Sequence, residues 1–244
     1  MISPLLTAIF ISFYSSALIL NYRIGGLLNL SFASLYTLGA YMLVAVNSKS
    51  VAAVFAFLIS FTIALGLAKI TERLSAGEAT IVSLGFAIGI EETIRIYFRS
   101  SYYQIIETNY ISVFGEAVDV NWIYGSAIFL MLLAFFTFIQ MSAFGLKLRF
   151  VEEDCELAEI YGVRTRRIRL SAIAITSGLI GVAGAVLAPT QAISPAMGWS
   201  VLIVSVVVAA IASLAGNAGL RKYLATFPVA LLYMLVIQTM GWLA

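Results

Sequence analysis

The residues able to do chemistry fall in two places. The first is a charged stretch, residues 145–169 (GLKLRFVEEDCELAEIYGVRTRRIR). It holds Lys147, Arg149, Arg164, Arg166, Arg167 and Arg169 beside Glu152, Glu153, Asp154, Glu156 and Glu159, in a chain with 14 basic and 12 acidic residues. The second is Glu91, Glu92 and Arg95, set in an otherwise apolar segment. Glu91 and Arg95 stand at i,i+4 and can pair on one helix face. Histidine is absent and Cys155 is the lone cysteine. A serine nucleophile therefore lacks an imidazole base, and no intrachain disulfide can form. No cluster of metal ligands occurs. Lys49, Lys69, Lys147 and Lys222 all lie outside any G-x-x-x-x-G-K-[ST] sequence, so this chain is not an ATP-hydrolysing subunit. An intramembrane enzyme is disfavoured, and transport is the chemistry left to weigh.

The elements that must position these groups are apolar. The 244 residues are 62% hydrophobic and 11% charged, where soluble domains carry about 25% charged residues. Interrupted apolar runs of about 20 residues indicate an all-α, polytopic membrane protein rather than a barrel. No hydrophilic segment exceeds roughly 30 residues, so residues 1–244 read as a single membrane domain. The runs fall at 4–20, 27–46, 51–68, 79–98, 122–140, 170–187, 199–214 and 224–242, about eight spans in all. The first lacks a basic leader and is read as a retained span. The second follows Gly25-Gly26 and is seeded with Asn29, Ser31, Ser34, Tyr36, Thr37 and Gly39. Two readings stand for it: a broken or re-entrant helix whose backbone is buried or lines a wet cavity, or an ordinary span packed through small residues. Glu91 and Arg95 likewise read either as an ion pair at the outer headgroup level or as a pore group.

The charged stretch cannot lie in hydrocarbon, where each central charge costs about 2.5 kcal/mol or more. Its basic excess places it on the cytoplasmic side. The turns bearing Arg23, Lys69, Arg73, Arg221 and Lys222 then fall on the same side, and both termini lie outside. Within it, residues 148–161 read as one short amphipathic helix, with Phe150, Val151, Leu157, Ala158 and Tyr161 near one face. Gly162 is placed to end it as a left-handed cap, and Thr165 to cap the next helix. The helix is either a solvated connector or a docking element whose apolar face enters a cleft on a cytoplasmic partner. Gly178, Gly181 and Gly184 are spaced to let helices approach closely.

Two stretches resemble a known family. GLLNLSFASLYTLGAY (26–41) resembles G-L-x-N-x-A-H-G-x-x-x-x-L-G-A-Y of the permease subunits of branched-chain amino acid ABC importers. Residues 145–163 resemble their cytoplasmic motif G-x-x-x-R-A-x-x-E-D-x-x-x-A-x-x-x-G-[IV], matching at Gly145, Arg149, Glu153, Asp154, Ala158 and Gly162. Gly181, Ala183-Gly184 and Pro195-Ala196-Met197-Gly198 continue the likeness, which covers most of the chain. The family's A-H-G is Ser31-Phe32-Ala33 here, and its L-G-G-x-G-S is residues 211–216, IASLAG. The resemblance implies that the 145–169 loop couples to an ATPase and that Asn29, Ser31 and their neighbours line the translocation path. It also implies the partners: a second permease subunit, two cytoplasmic ATP-binding subunits holding ATP and Mg, and an extracellular or periplasmic solute-binding protein, all at a prokaryotic cell membrane. No cofactor in this chain and no nucleic acid are expected. The solute is a branched-chain or related amino acid, or another small polar molecule such as urea or a simple sugar. The rival reading is a stand-alone secondary transporter or channel with Glu91 and Arg95 in the path. A structural membrane scaffold is a third.

Overall fold

A computed structural model describes residues 4–46, 48–98, 103–104, 110–113, 116–119, 126, 130, 131, 134, 141–188, 192–214 and 221–243. Its helices are α1 (Pro4–Gly25), α2 (Ser31–Val46), α3 (Lys49–Thr71), α4 (Ala76–Phe98), α5 (Ala143–Glu153), α6 (Cys155–Ile160), α7 (Thr165–Leu187), α8 (Met197–Leu214) and α9 (Arg221–Leu243). Four of them are both long and apolar enough to cross a bilayer: α3, α7, α8 and the Lys222–Thr239 part of α9. The sixteen residues of α2 reach about 24 Å at 1.5 Å per residue, short of a hydrocarbon core of about 30 Å. α4 is as long as α3 but carries Glu78, Glu91, Glu92 and Arg95. The expected span 122–140 lies outside the described residues apart from isolated positions, so the structure supports a multi-pass helical protein without establishing about eight crossings.

The helices gather into two groups. α7 packs against α2 and α3, and α1 packs against α8 and α9; α1 also touches α7, and α2 touches α8, across the divide. α1 is buried from Ala8 to Asn21 without a break, the pattern of a helix enclosed by others rather than one facing lipid. α3 and α4 bury one stripe each. In α3 it is Ala52, Ala56, Ser60 and Ala64, and in α4 it is Ala79, Ser83, Ala87 and Glu91. Their other faces present Val54, Phe55, Leu58, Ile81 and Ile88 outward. Such apolar exposure suits a bilayer and not water.

Glycine sets the approach of α7. A β-carbon at Gly184 would overlap the Tyr36 carbonyl oxygen, and one at Gly39 would overlap the Gly181 carbonyl. One at Gly178 would come within 2.7 Å of the Phe57 ring. The small-residue reading of 178–184 therefore describes the packing of α7 against both α2 and α3.

Some expectations are corrected. The helix foreseen over 148–161 is two helices, α5 and α6, that break at Asp154. Asp154 is extended there (φ −152°, ψ 106°): its amide donates to the Phe150 carbonyl, and its carboxylate accepts from Leu157 N–H. An aspartate offering its side chain to the next turn competes with helix continuation. Thr165 does not cap α7; its hydroxyl donates to Glu159 Oε1 at 2.5 Å, and Arg164 holds the cap position with no side-chain bond. Two short antiparallel ladders lie between the helices and leave the fold all-helical in class. β1 (Tyr103–Gln104) pairs with β4 (Ala192–Ile193), and β2 (Tyr110–Val113) pairs with β3 (Glu116–Asp119). Tyr, Ile and Val favour the extended chain.

Candidate functional site

The charged stretch forms a projecting knob. On its inner side Gly145, Leu148, Val151 and Ala158 are buried, the last three within the main core. Glycine and alanine at two of these points bring the knob close to the helices beneath it. On the outer side Leu157, Ile160 and Tyr161 are exposed by 41%, 81% and 73%, among exposed Glu153, Asp154, Glu156, Glu159 and Arg164. The apolar residues are thus split between two faces. Val151 and Ala158 hold the knob to the body, and Leu157 and Tyr161 face away from it. Phe150 and Tyr161 stack obliquely with centroids 5.7 Å apart. Gly162 ends the knob at φ 76°, a conformation that strains any residue with a β-carbon. Val163 N–H then closes onto the Ala158 carbonyl at 3.0 Å.

Three side-chain ties fasten this region to the ends of other helices. Arg169 Nε donates to the Ile24 carbonyl of α1 at 2.8 Å. Arg166 pairs with Glu72 after α3. Glu152 takes both the Lys222 ammonium and, at 3.0 Å, the Tyr223 hydroxyl of α9. The ends of α1 and α3 and the starts of α7 and α9 therefore meet the knob at one end of the molecule. Sequence reading places Arg23, Lys69, Arg73 and Lys222 on one side through their charge alone. It does not foresee the pairing of Glu152 with Lys222, because the two are separated by 70 positions.

Sequence reading singles out Asn29, Ser31, Ser34, Tyr36 and Thr37, and all five are buried. α1 stops at Gly25, Gly26 takes φ 68°, and residues 26–30 are not helical before α2 begins at Ser31. This interrupted backbone is satisfied from α4. Leu28 N–H donates to Thr80 Oγ1 at 3.3 Å, Leu30 N–H donates to Ser83 Oγ at 3.1 Å, and Ser83 Oγ lies 3.2 Å from the Leu28 carbonyl. Broken backbone away from water persists only with such partners. The Asn29 carboxamide accepts from the Ser31 hydroxyl at 2.6 Å and reaches Asn21 at 3.4 Å; Asn21 donates to Thr176 Oγ1 at 2.6 Å. A polar chain thus joins the break to α1 and α7. Sequence reading misses Asn21 and Thr176, since Asn21 sits at the end of the first apolar run and Thr176 beside Ser177 in a run that already carries small residues. Thr37 accepts from Gly198 N–H at 3.2 Å, and a β-carbon at Gly198 would overlap the Ala33 carbonyl oxygen.

Glu91 and Arg95 do pair, at 2.5 Å. Glu91 also accepts from Trp199 Nε1 at 2.8 Å, so the carboxylate ties α4 to the start of α8. That bond has no sequence signal, because Trp199 reads equally well as an interface anchor. A separate cavity of about 420 Å³ lies between α1, the break and α8, lined by apolar residues such as Leu18, Leu28 and Val206 with Arg23 at its edge. None of the residues foreseen for the path lines this cavity.

The family model described as branched-chain amino acid transport system, permease component, matches residues 1–244. Neither a search of curated proteins nor one of solved structures gave a match. A projecting, charge-ringed knob and a satisfied break between α1 and α2 stand where the two motif-like stretches lie, and the family match runs from one end of the chain to the other. The chain belongs to the permease family of branched-chain amino acid transport systems.

Proposed function

We propose that this chain is the pore-forming half of an ABC importer for a small polar solute, a branched-chain or related amino acid. α6 is the part that docks on a cytoplasmic ATP-binding subunit. One observation carries this reading: Leu157, Ile160 and Tyr161 form an exposed apolar face on and just after a six-residue helix amid acidic neighbours, at the end of the molecule where basic residues gather. Basic excess marks the cytoplasmic side, and a short amphipathic helix is suited to a groove on a partner. Two ATP-binding subunits, with their ATP and Mg, would close and push two such knobs. The pore would be completed by a second permease chain and fed by an external solute-binding protein. Gly145, Arg149, Glu153, Asp154, Ala158 and Gly162 are the coupling residues of this scheme. Asn29, Ser31, Ser34, Tyr36 and Thr37 belong to its path, and all five are buried. Glu91 and Arg95 stand at the path's far end as a tie that must loosen when it opens.

The test is assembly. Ile160→Glu places charge on the docking face without touching the buried side of the knob, and Tyr161→Glu does so at the loss of its stack on Phe150. Each variant should reach the membrane at the level of the unaltered chain and lose at least ten-fold of the co-purifying ATP-binding subunit and of solute uptake. Glu153→Lys should act in the same direction. Uptake that persists in membranes without any ATP-binding subunit would overturn the reading in favour of a stand-alone carrier.

A further inference from the structure

The knob is attached to the two helix groups in different ways. It continues into α7 through the turn at Gly162, where a β-carbon would meet no neighbour within 4 Å and the bond from the Thr165 hydroxyl to Glu159 Oε1 crosses the turn. It is attached to the α1–α8–α9 group mainly by side chains. Backbone contact between α5 and α9 is sparse. What joins them is the Glu152–Lys222 ion pair, both side chains only 3% exposed, with Tyr223 donating to the second carboxylate oxygen at 3.0 Å. The Arg166–Glu72 pair, which ties the start of α7 to the end of α3, differs: its arginine is 70% exposed, and exposed pairs grip weakly. A buried pair whose carboxylate is also hydrogen-bonded resists separation, because pulling it apart strands charge away from water.

We propose that Glu152 is a positioning residue that makes α5 and α9 move as one piece, so that a push on α6 displaces the α1–α8–α9 group relative to α7, with Gly162 as the hinge. This deepens the docking reading above and rests on it: the stroke is supplied at α6, and Glu152 decides which helices receive it. Lys222 and Tyr223 are the receiving groups. Ser12 and Ser16 of α1 then carry the displacement onward, since both bond the Thr226 hydroxyl of α9, at 2.8 and 3.0 Å.

The experiment uses the assembled transporter with its ATP-binding and solute-binding subunits in vesicles. Uptake and ATP hydrolysis are measured together. The apolar pair Glu152→Leu/Lys222→Met keeps the site filled and leaves no stranded charge. It should assemble and hydrolyse ATP while solute moved per ATP falls at least ten-fold. The exchanged pair Glu152→Lys/Lys222→Glu should recover most of that ratio. An unchanged ratio in the apolar pair overturns the strut. A second measurement leaves the pair intact. With Cys155→Ser as background, spin labels at Lys147→Cys and Leu224→Cys should keep one separation in nucleotide-free and ATP-bound states, whereas labels at Lys147→Cys and Ile70→Cys should change theirs. A changing 147–224 separation overturns the strut alone. If neither separation changes, or no ATP-binding subunit assembles with the unaltered chain, the docking reading itself falls.

Discussion

Asp154 shows how one side chain determines a whole feature. It closes α5 through its amide and opens α6 through its carboxylate, with Leu157 N–H as partner at 2.9 Å. Loss of an aspartate cap costs about 0.5–2 kcal/mol, and a helix of six residues has little else to hold it. Asp154→Ala should therefore speed amide hydrogen exchange over residues 155–160 by about five-fold or more, the factor for roughly 1 kcal/mol. Asp154→Asn retains a cap oxygen and should exchange nearly as the unaltered chain does. Co-purification of the ATP-binding subunit would follow the same order if helix shape matters, and would fall for both variants if the negative charge matters. The acidic pair 153–154 is visible in the sequence as a motif. Its division into an exposed Glu153 and a helix-breaking Asp154 is not, because periodicity treats both as polar positions on one continuous helix.

At the scale of elements, the break between α1 and α2 depends on α4. Ser83 serves Leu30 N–H and lies beside the Leu28 carbonyl, inside a stripe that also buries Ala79 and Ala87. Ser83→Ala would leave the partly buried Leu30 amide unpaired, at about 1–3 kcal/mol. The purified protein should then melt several degrees lower, read by a thermal scan in detergent, and Thr80→Val should have the smaller effect because its bond to Leu28 is longer. A Ser83→Ala protein that melts unchanged would mean that the break finds other partners. Gly25-Gly26 and the polar residues after them make a break legible in sequence. Gly178, Gly181 and Gly184 likewise announce close approach by spacing alone. What cannot be read is the identity of the neighbour in each case. Helical periodicity says which face is small or polar, but two apolar helices offer no sequence code for which will meet it. The pairings of Asn21 with Thr176, Glu91 with Trp199 and Glu152 with Lys222 span 155, 108 and 70 positions, and even where one partner stands out, as Glu91 and Glu152 do, nothing local names the other.

For the whole molecule the decisive quantity is sidedness, and the chain carries its own reporter. Cys155 is the lone cysteine, partly exposed at the start of α6. On the docking reading proposed above, the end that gathers Arg23, Lys69, Arg73, Lys147, Arg149 and Lys222 faces the cytoplasm, the side that the positive-inside rule favours. The same proposal puts the remote ends of α1 and α9, and with them both termini, outside. A membrane-impermeant maleimide should therefore modify Cys155 in inverted vesicles and leave it untouched in right-side-out cells. Ser50→Cys, introduced with Cys155→Ser at the exposed start of α3, should show the reverse pattern. Added ATP-binding subunit should slow the reaction of Cys155 severalfold and leave that of Ser50→Cys unchanged, because only the knob would be covered. Modification of Cys155 from outside intact cells would reverse the topology and, with it, any role for α6 in gripping a cytoplasmic motor. Modification from inside without protection would preserve the topology and refute the docking face at Leu157, Ile160 and Tyr161.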